Sequence, residues 1–290
     1  MPTASLTPAD LFAVCEEAHG LGYRSLWLGD HVVLPRRTES SYPHTAGGSV
    51  PFSAETPWLD PLLTLGWLSA RLPPTMRIGT SVLILPLRNP VLLAKQLTSL
   101  SWLTERPISL GVGSGWLREE YDAIGAPFEK RASAARSAIG TIRELYRDGG
   151  ADFTVRGPDN VPTLTPFTLL PPGPGPLEFL WGGVSPAALR LVAAVCDGWL
   201  PAKQPLDALP PLVDALRAAC DAAGRDFSEL RLVAKPGPGP DPESGAIDAA
   251  GLDRYAALGF SELILEMPYE SGGPGPAIEV LRRVAERADM

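Results

Sequence analysis

The 290-residue sequence predicts an α/β fold of the (β/α)8 TIM-barrel type, in a single domain over residues 1–290. Three observations carry this. Strand-like and helix-like segments alternate along the whole chain, which implies a barrel or a doubly wound sheet. Most of the strand segments are continuous apolar runs, as in a parallel sheet covered on both faces. The length and the number of repeated units favour the barrel, and no composition shift marks a second domain.

In chain order, strands are expected over Ser25–Leu28, 78–85, 108–112, 178–181, 199–200, 230–234 and 262–266. Helical periodicity fills the intervals at Pro8–Gly20, 58–71, 90–103, 130–147, Pro186–Val195, 206–223, 246–258 and 276–288. Asn89 before Pro90 and Ser185 before Pro186 pair an N-capping side chain with a proline in the first helical turn. Insertions interrupt the pattern at about 35–57 and 152–176, the second with a small hairpin expected around 157–160. Pro- and Gly-rich stretches at 171–176, 236–240 and 272–276 fall between periodic segments and read as loops.

The first readable element is a helix, so a strand that a closed barrel requires before Pro8 is missing or shortened. Either the true start lies upstream of Met1, or the barrel has an open seam. An open seam would leave an edge on the first and last strands.

Composition narrows the function classes. The formal charge is −8 with no basic run, which argues against nucleic acid as a partner. No run of eighteen apolar residues is present, so no membrane span is expected. Residues 1–10 lack a basic segment followed by an apolar one, so no signal peptide is read and a cytoplasmic location is expected. The three cysteines, Cys15, Cys196 and Cys220, form no metal-ligand spacing and read as reduced core residues. No metal site is expected.

In a barrel the reactive groups sit where strands end and loops begin. The first such end carries Asp30 and His31. Histidine exchanges protons near neutral pH and a neighbouring carboxylate can orient it; a structural hydrogen bond at a loop base is the competing reading. The second end, Thr80-Ser81-Val82, breaks an apolar run with small polar residues. It marks a bulge or strained peptide against a flat ligand, or simple threonine strand preference. The third, Gly111 to Gly115 with Gly113, Ser114 and Gly115 at its end, has GxGxG rather than GxGxxG spacing and fits poorly to a dinucleotide turn. Trp116, Glu119, Glu120 and Tyr121 follow it. The fourth, Gly182-Gly183-Val184-Ser185, ends a strand and opens a capped helix. Backbone N–H groups there favour a phosphate, with a tight turn as the alternative. Lys203 and Lys235, each after a strand, are candidates for an anionic group. No P-loop, HExxH motif or CxxC cluster is present.

These four strand ends, in this order, resemble the luciferase-like monooxygenase superfamily, closest to its F420-dependent oxidoreductase branch. The segments that carry the likeness span residues 22–35, 57–70, 77–100, 108–131 and 179–201. The resemblance implies a barrel holding a flavin or the deazaflavin F420 with its tricycle at the strand C-termini. It places Asp30 and His31 beside the reactive carbon as catalytic residues, with Asp30 orienting His31. It implies a non-prolyl cis peptide within Thr80-Ser81-Val82 behind the ring. It assigns a ring or phosphodiester contact to Gly113, Ser114 and Gly115, and the phosphate to Gly182, Gly183, Val184 and Ser185. Trp27, Leu83 and Trp116 are expected as apolar pocket walls.

The expected activity is hydride transfer between F420 and a small organic substrate, by a homodimer. An FMN-dependent monooxygenase on the same scaffold is the alternative. A cofactor-free, non-catalytic barrel is a third reading, suggested by the missing first strand. The substrate is not legible in the loops.

Overall fold

Continuous apolar strands can be buried on both faces only if helices cover one side of the sheet and side chains fill the other. The computed structural model, which describes residues 6–148, 168–236, 247–267 and 273–288, builds this arrangement. The strands are β1 Ser25–Leu28, β2 Arg77–Ile84, β3 Ile108–Gly113, β4 Leu177–Trp181, β5 Gly198–Trp199, β6 Ala202–Gln204, β7 Arg231–Pro236 and β8 Phe260–Leu263. The helices are α1 Pro8–Gly20, α2 Pro61–Ser69, α3 Pro90–Thr104, α4 Arg118–Ile124, α5 Arg131–Asp148, α6 Pro186–Val195, α7 Leu209–Ala223, α8 Ala249–Ala257 and α9 Gly275–Arg287.

All pairings are parallel and follow the order β1-β2-β3-β4-β5-β7-β8, with the short β6 alongside the end of β7. Strand alternation divides the core in two. Leu26, Leu28, Ile78, Leu110 and Phe179 pack outward against the helices. Trp27, Leu180, Leu200, Val233 and Ile264 fill the concave interior, with Val82 against them. Helix starts agree with the capping residues: Asn89 accepts from Val91 and Leu92, and Ser185 from Ala188.

Among the described residues β8 has no ladder to β1, so the sheet is a curled, open barrel. Side chains bridge the seam instead of backbone. Glu262 on β8 accepts from Ser25 and from the Trp27 indole at 2.9 Å, and meets Arg77 and Arg231 through its other oxygen. Behind the seam lies a groove of about 580 Å³ between strand edges and Val14, Tyr255 and Leu281 of α1, α8 and α9. Among the described residues the edge is open, and the Glu262 carboxylate rather than a strand ties it together.

Several elements depart from the pattern. The short helix α4 and strand β6 escape a periodicity reading because neither completes enough turns or residues to show one. Helix α2 starts at Pro61 rather than 58 because Asp60 caps it, accepting from Leu62 and Leu63. The last strand runs over Phe260–Leu263 instead of 262–266, since its ladder with β7 begins at Phe260. Most of the 152–176 insertion, including the hairpin expected at 157–160, lies outside the described residues. No described helix is long and apolar enough to cross a membrane. All three cysteines are free and buried, and burial pushes the Cys15 thiol up to about 11 and Cys196 to about 12.

Candidate active site

The end of β1 sends two adjacent side chains in different directions. Asp30 turns into the core, where it accepts from the Ile84 amide at 3.0 Å and from Arg88 Nη2 at 2.7 Å and Nε at 3.3 Å. Arg88 also reaches Asp60, the α2 cap, at 3.0 Å. Burial pushes the Asp30 carboxyl above its ordinary range, and Arg88 with the Ile84 amide pulls against that. Asp30 thus locks the ends of β1 and β2 to the start of α2.

His31 has a different partner from the expected Asp30. Its Nδ1 lies 3.3 Å from Glu120 Oε2, and the Glu120 side chain is only 1% exposed. The other Glu120 oxygen accepts from the amides of Val32 at 2.5 Å and Val33 at 3.3 Å. The correction lies in the partners: both residues follow β1 and border the same cavity, but the Asp30 carboxylate is taken by Arg88 and the Ile84 amide while His31 meets Glu120. An acceptor-only carboxylate at Nδ1 assigns the proton to that nitrogen and leaves Nε2 for the cavity. Rings enclose the imidazole, with Trp58 centred 4.9 Å away, Phe52 5.2 Å and Trp116 6.3 Å.

These groups line a cavity of about 120 Å³ whose far wall is basic. Lys203 and Lys235 both belong to it, and Glu266 pairs with them at 2.8 and 3.0 Å. Lys203 is one of the described non-glycine residues with a left-handed backbone, at φ 54°. Burial, and then the two lysines, lower the pKa of His44 on the same wall, while burial pushes Tyr42 up to about 12. Glu120 and Glu266 are not singled out by sequence pattern. The available signal for Glu120 is its place in the first turn of α4, just past the glycine-rich end of β3.

At the second strand end, the Ser81–Val82 peptide is cis, and the β2–β3 register shifts between Thr80 and Leu83. Thr80 hydrogen-bonds the Gly111 carbonyl at 2.9 Å and is fully buried, so it braces the sheet rather than facing the cavity. Val82 points inward and touches the space where side chains of Gly113 and Gly182 would begin, 3.1 Å from each built Cβ. The expected pocket walls divide. Trp116 lines the cavity, Leu83 packs on the helix side, and Trp27 fills the barrel interior and hydrogen-bonds across the seam. The alternation of strand side chains is what removes Leu83 from the pocket.

The cavity opens into a larger groove of about 960 Å³, which shares His44, Val82, Gly115 and Trp116 with it. Gly113, Ser114, Gly115, Gly182, Gly183, Val184 and Ser185 all line this groove. Gly115 has φ +66°, and the Tyr121 hydroxyl secures the turn by donating to the Ser114 carbonyl at 2.5 Å. A Cβ on Gly183 would lie 2.7 Å from Trp181 Nε1 and 2.9 Å from Ala188 Cβ, so glycine is needed there.

Two buried donors along these walls have no protein partner among the described residues, Ser81 Oγ and Trp181 Nε1. Such groups are costly to bury unless something accepts from them. Ser81 borders the smaller cavity and Trp181 the groove beside the α6 N-terminus. A planar, phosphate-bearing ligand spanning both spaces would satisfy them. The residues present fit a flavin or deazaflavin.

A parallel β/α sheet with a cleft at the strand C-termini is the barrel-type architecture whose ligand sites gather at that end. The profile of the luciferase-like monooxygenase family matches residues 1–261, and the chain belongs to that family. Members of the family are oxidoreductases and monooxygenases. An uncharacterised protein of Mycobacterium tuberculosis is 29% identical over 284 residues, covering 96% of this chain and 91% of that protein. Among solved structures, an F420-dependent secondary alcohol dehydrogenase in complex with an F420-acetone adduct superposes with a TM-score of 0.72 at 14% identity, covering 98% of this chain and 96% of that one. The oxygenating constituent of 3,6-diketocamphane monooxygenase from Pseudomonas putida, in complex with FMN, superposes with a TM-score of 0.66 at 15% identity, over 97% and 93%. At these identities the two structures show the shared fold.

Proposed function

We propose that this protein is an F420-dependent oxidoreductase that moves a hydride between the deazaflavin and a small organic substrate. The observation that carries the reading is the His31–Glu120 pair in its aromatic box, in a cavity that Ser81 and Val82 also line. When bound, the deazaflavin supplies a carbon that gives or takes a hydride in a two-electron step.

The chain's own residues do the rest. His31 holds or takes the substrate proton at Nε2, and a positioned acid/base of this kind contributes on the order of 10²–10⁴ in rate. Glu120 keeps the ring in one tautomer and faces its positive charge when it is protonated. Phe52, Trp58 and Trp116 limit water around the imidazole. Ser81 Oγ and Trp181 Nε1 would donate to the bound cofactor, and Gly182 and Gly183 would let its phosphate approach the start of α6. Thr80 and Asp30 hold the strand ends, Thr80 through the Gly111 carbonyl and Asp30, at the cavity edge, through Arg88 and the Ile84 amide.

An FMN-dependent monooxygenase is the second reading, supported by the FMN-bound neighbour and by a groove that would accept either phosphate-bearing tricycle. A cofactor-free barrel rests on the open seam. Titration of the purified protein with F420 and separately with FMN, followed by fluorescence, separates the three. Tight F420 and weak FMN binding is expected. FMN preference would transfer the assignment to the monooxygenase, and binding of neither would overturn both enzyme readings. His31→Ala should keep F420 affinity and lose turnover; full turnover in this variant would remove the acid/base role.

The reading extends to assembly and location. Leu63 and Trp67 on α2 and Leu92, Trp102 and Leu103 on α3 are exposed large apolar side chains on two neighbouring helices. An isologous pairing with a second copy would cover them, since two copies present the same apolar face to each other. Leu63→Glu/Leu103→Glu should convert a dimer to a monomer in light scattering; an unchanged mass would reject this face. Reduced, buried thiols accord with a cytoplasmic protein.

A further inference from the structure

The groove beside α6 carries more positive charge than one phosphate uses. Arg136 on α5 and Arg190 on α6 both line it, each in the second turn of its helix. Every other described lining residue is uncharged or a histidine, and no carboxylate faces the groove. This is unusual in a chain with 33 acidic and 25 basic residues. Several arginines elsewhere are paired: Arg88 with Asp30, Arg143 with Asp197, and Arg231 with Glu178 and Glu262. Arg136 and Arg190 are both exposed, and among the described residues their side chains make no hydrogen bond or ion pair. A second observation at the same place points to a ligand. The Trp181 indole N–H, in a side chain 4% exposed, borders the groove beside Gly183 with nothing to donate to.

We infer that Arg136 and Arg190 bind carboxylates of an acidic tail that continues past the cofactor phosphate, and so select a tail-bearing deazaflavin over FMN. The inference rests on the cofactor reading proposed above. It assigns the division of labour along the groove. The Gly182–Gly183 turn, Trp181 and the α6 N-terminus take the phosphate, and the two arginines take glutamyl carboxylates further out. Guanidinium groups suit this task because their fork matches a carboxylate with two parallel N–H bonds. Alanines 132, 187, 194, 222 and 223 keep the groove wide enough for a flexible tail. FMN ends at its phosphate and leaves both arginines unused.

The test is an equilibrium titration of the intact protein with three probes, read by fluorescence: F420 bearing several glutamates, the same deazaflavin without glutamates, and FMN. The wild type should bind the glutamylated form about ten-fold or more tightly than the glutamate-free form, with the difference shrinking as salt rises. Arg136→Met/Arg190→Met should lose that preference while keeping the affinity for the glutamate-free form. Arg136→Lys/Arg190→Lys should retain part of it, and that pair guards against a folding defect in the methionine variant. Equal wild-type affinity for the two deazaflavins overturns the tail assignment and leaves the cofactor reading standing. An unchanged preference in the methionine variant also overturns it. Binding of neither deazaflavin overturns both.

Discussion

Replacing Glu120 by Gln tests the centre of the site, because the two side chains have the same shape and differ in charge and in one hydrogen-bond role. In the native protein Glu120 Oε1 accepts from the Val32 and Val33 amides, and Oε2 faces His31 Nδ1 at 3.3 Å. The two amides will hold the glutamine carbonyl, which turns its NH₂ group toward the imidazole. A donor at that position requires Nδ1 to accept, and the neutral ring must then carry its proton on Nε2. The cavity would face an N–H where the native enzyme presents a lone pair. A hydrogen bond to a charged group contributes about 1.5–3 kcal/mol and a neutral one about 0.5–1.5. Loss of the charge therefore costs the protonated ring roughly 1–2 kcal/mol, about a ten-fold slowing of a step that charges it. Nitrogen NMR of labelled imidazole reads the tautomer directly, without need of a substrate. The native protein should show Nδ1–H and the variant Nε2–H, with unchanged thermal stability to within about 1 kcal/mol. A variant that keeps Nδ1–H would refute the pairing as the source of ring orientation.

Other outcomes follow from local geometry. Gly183→Ala drives a methyl to 2.7 Å from Trp181 Nε1, so cofactor affinity should fall at least about ten-fold while circular dichroism stays native. Gly198→Ala places its methyl 2.2 Å from the Arg231 carbonyl oxygen and 2.4 Å from Leu180, within the β5–β7 ladder. It should destabilise by about 1–3 kcal/mol, the usual range for overpacking, and calorimetry checks it. Gly140→Ala, inside α5 with nothing within 4 Å of the new methyl, should instead stabilise by about 0.5–1 kcal/mol. Glu119 carries a pH dependence. Burial opposes its charge, but the Ser40 hydroxyl and the Glu39 and Ser40 amides win, lowering its pKa from 4.5 to about 2. A depressed carboxyl stabilises above its unfolded pKa, so its anchoring of the 39–40 loop is present above pH 4.5 and lost as the pH falls toward 2. Glu119→Gln should flatten that part of the stability curve, by no more than about 1 kcal/mol because solvent screens the group; an unaltered acid limb would reject the assignment.

The strand ends that border the cleft were legible in the sequence because they depend on local rules. Strand-ending glycines, the Ser185-Pro186 helix start and the Asp30-His31 pair lie within a few residues of the element that positions them. Capping, strand alternation and proline geometry act over that same range. The strand count also showed one strand fewer than a closed barrel needs, and among the described residues β8 and β1 share no ladder. What the sequence left undecided was which side chains meet. Glu120 reaches His31 across 89 positions, and Glu262 bridges to Ser25 across 237. Periodicity assigns Leu83 and Val82 to opposite faces but does not say which face is the cavity, and Asp30 beside His31 reads as a pair until Arg88 and Glu120 claim them separately. Glu266 joins Lys203 and Lys235 only after the sheet curls. Ion pairs and orphaned donors are properties of packing, and no local propensity encodes them. The sequence by itself determined the β/α sheet and the strand ends that border the cleft; the tertiary structure alone decided the partners of His31, because charges find one another through the folded packing and not along the chain.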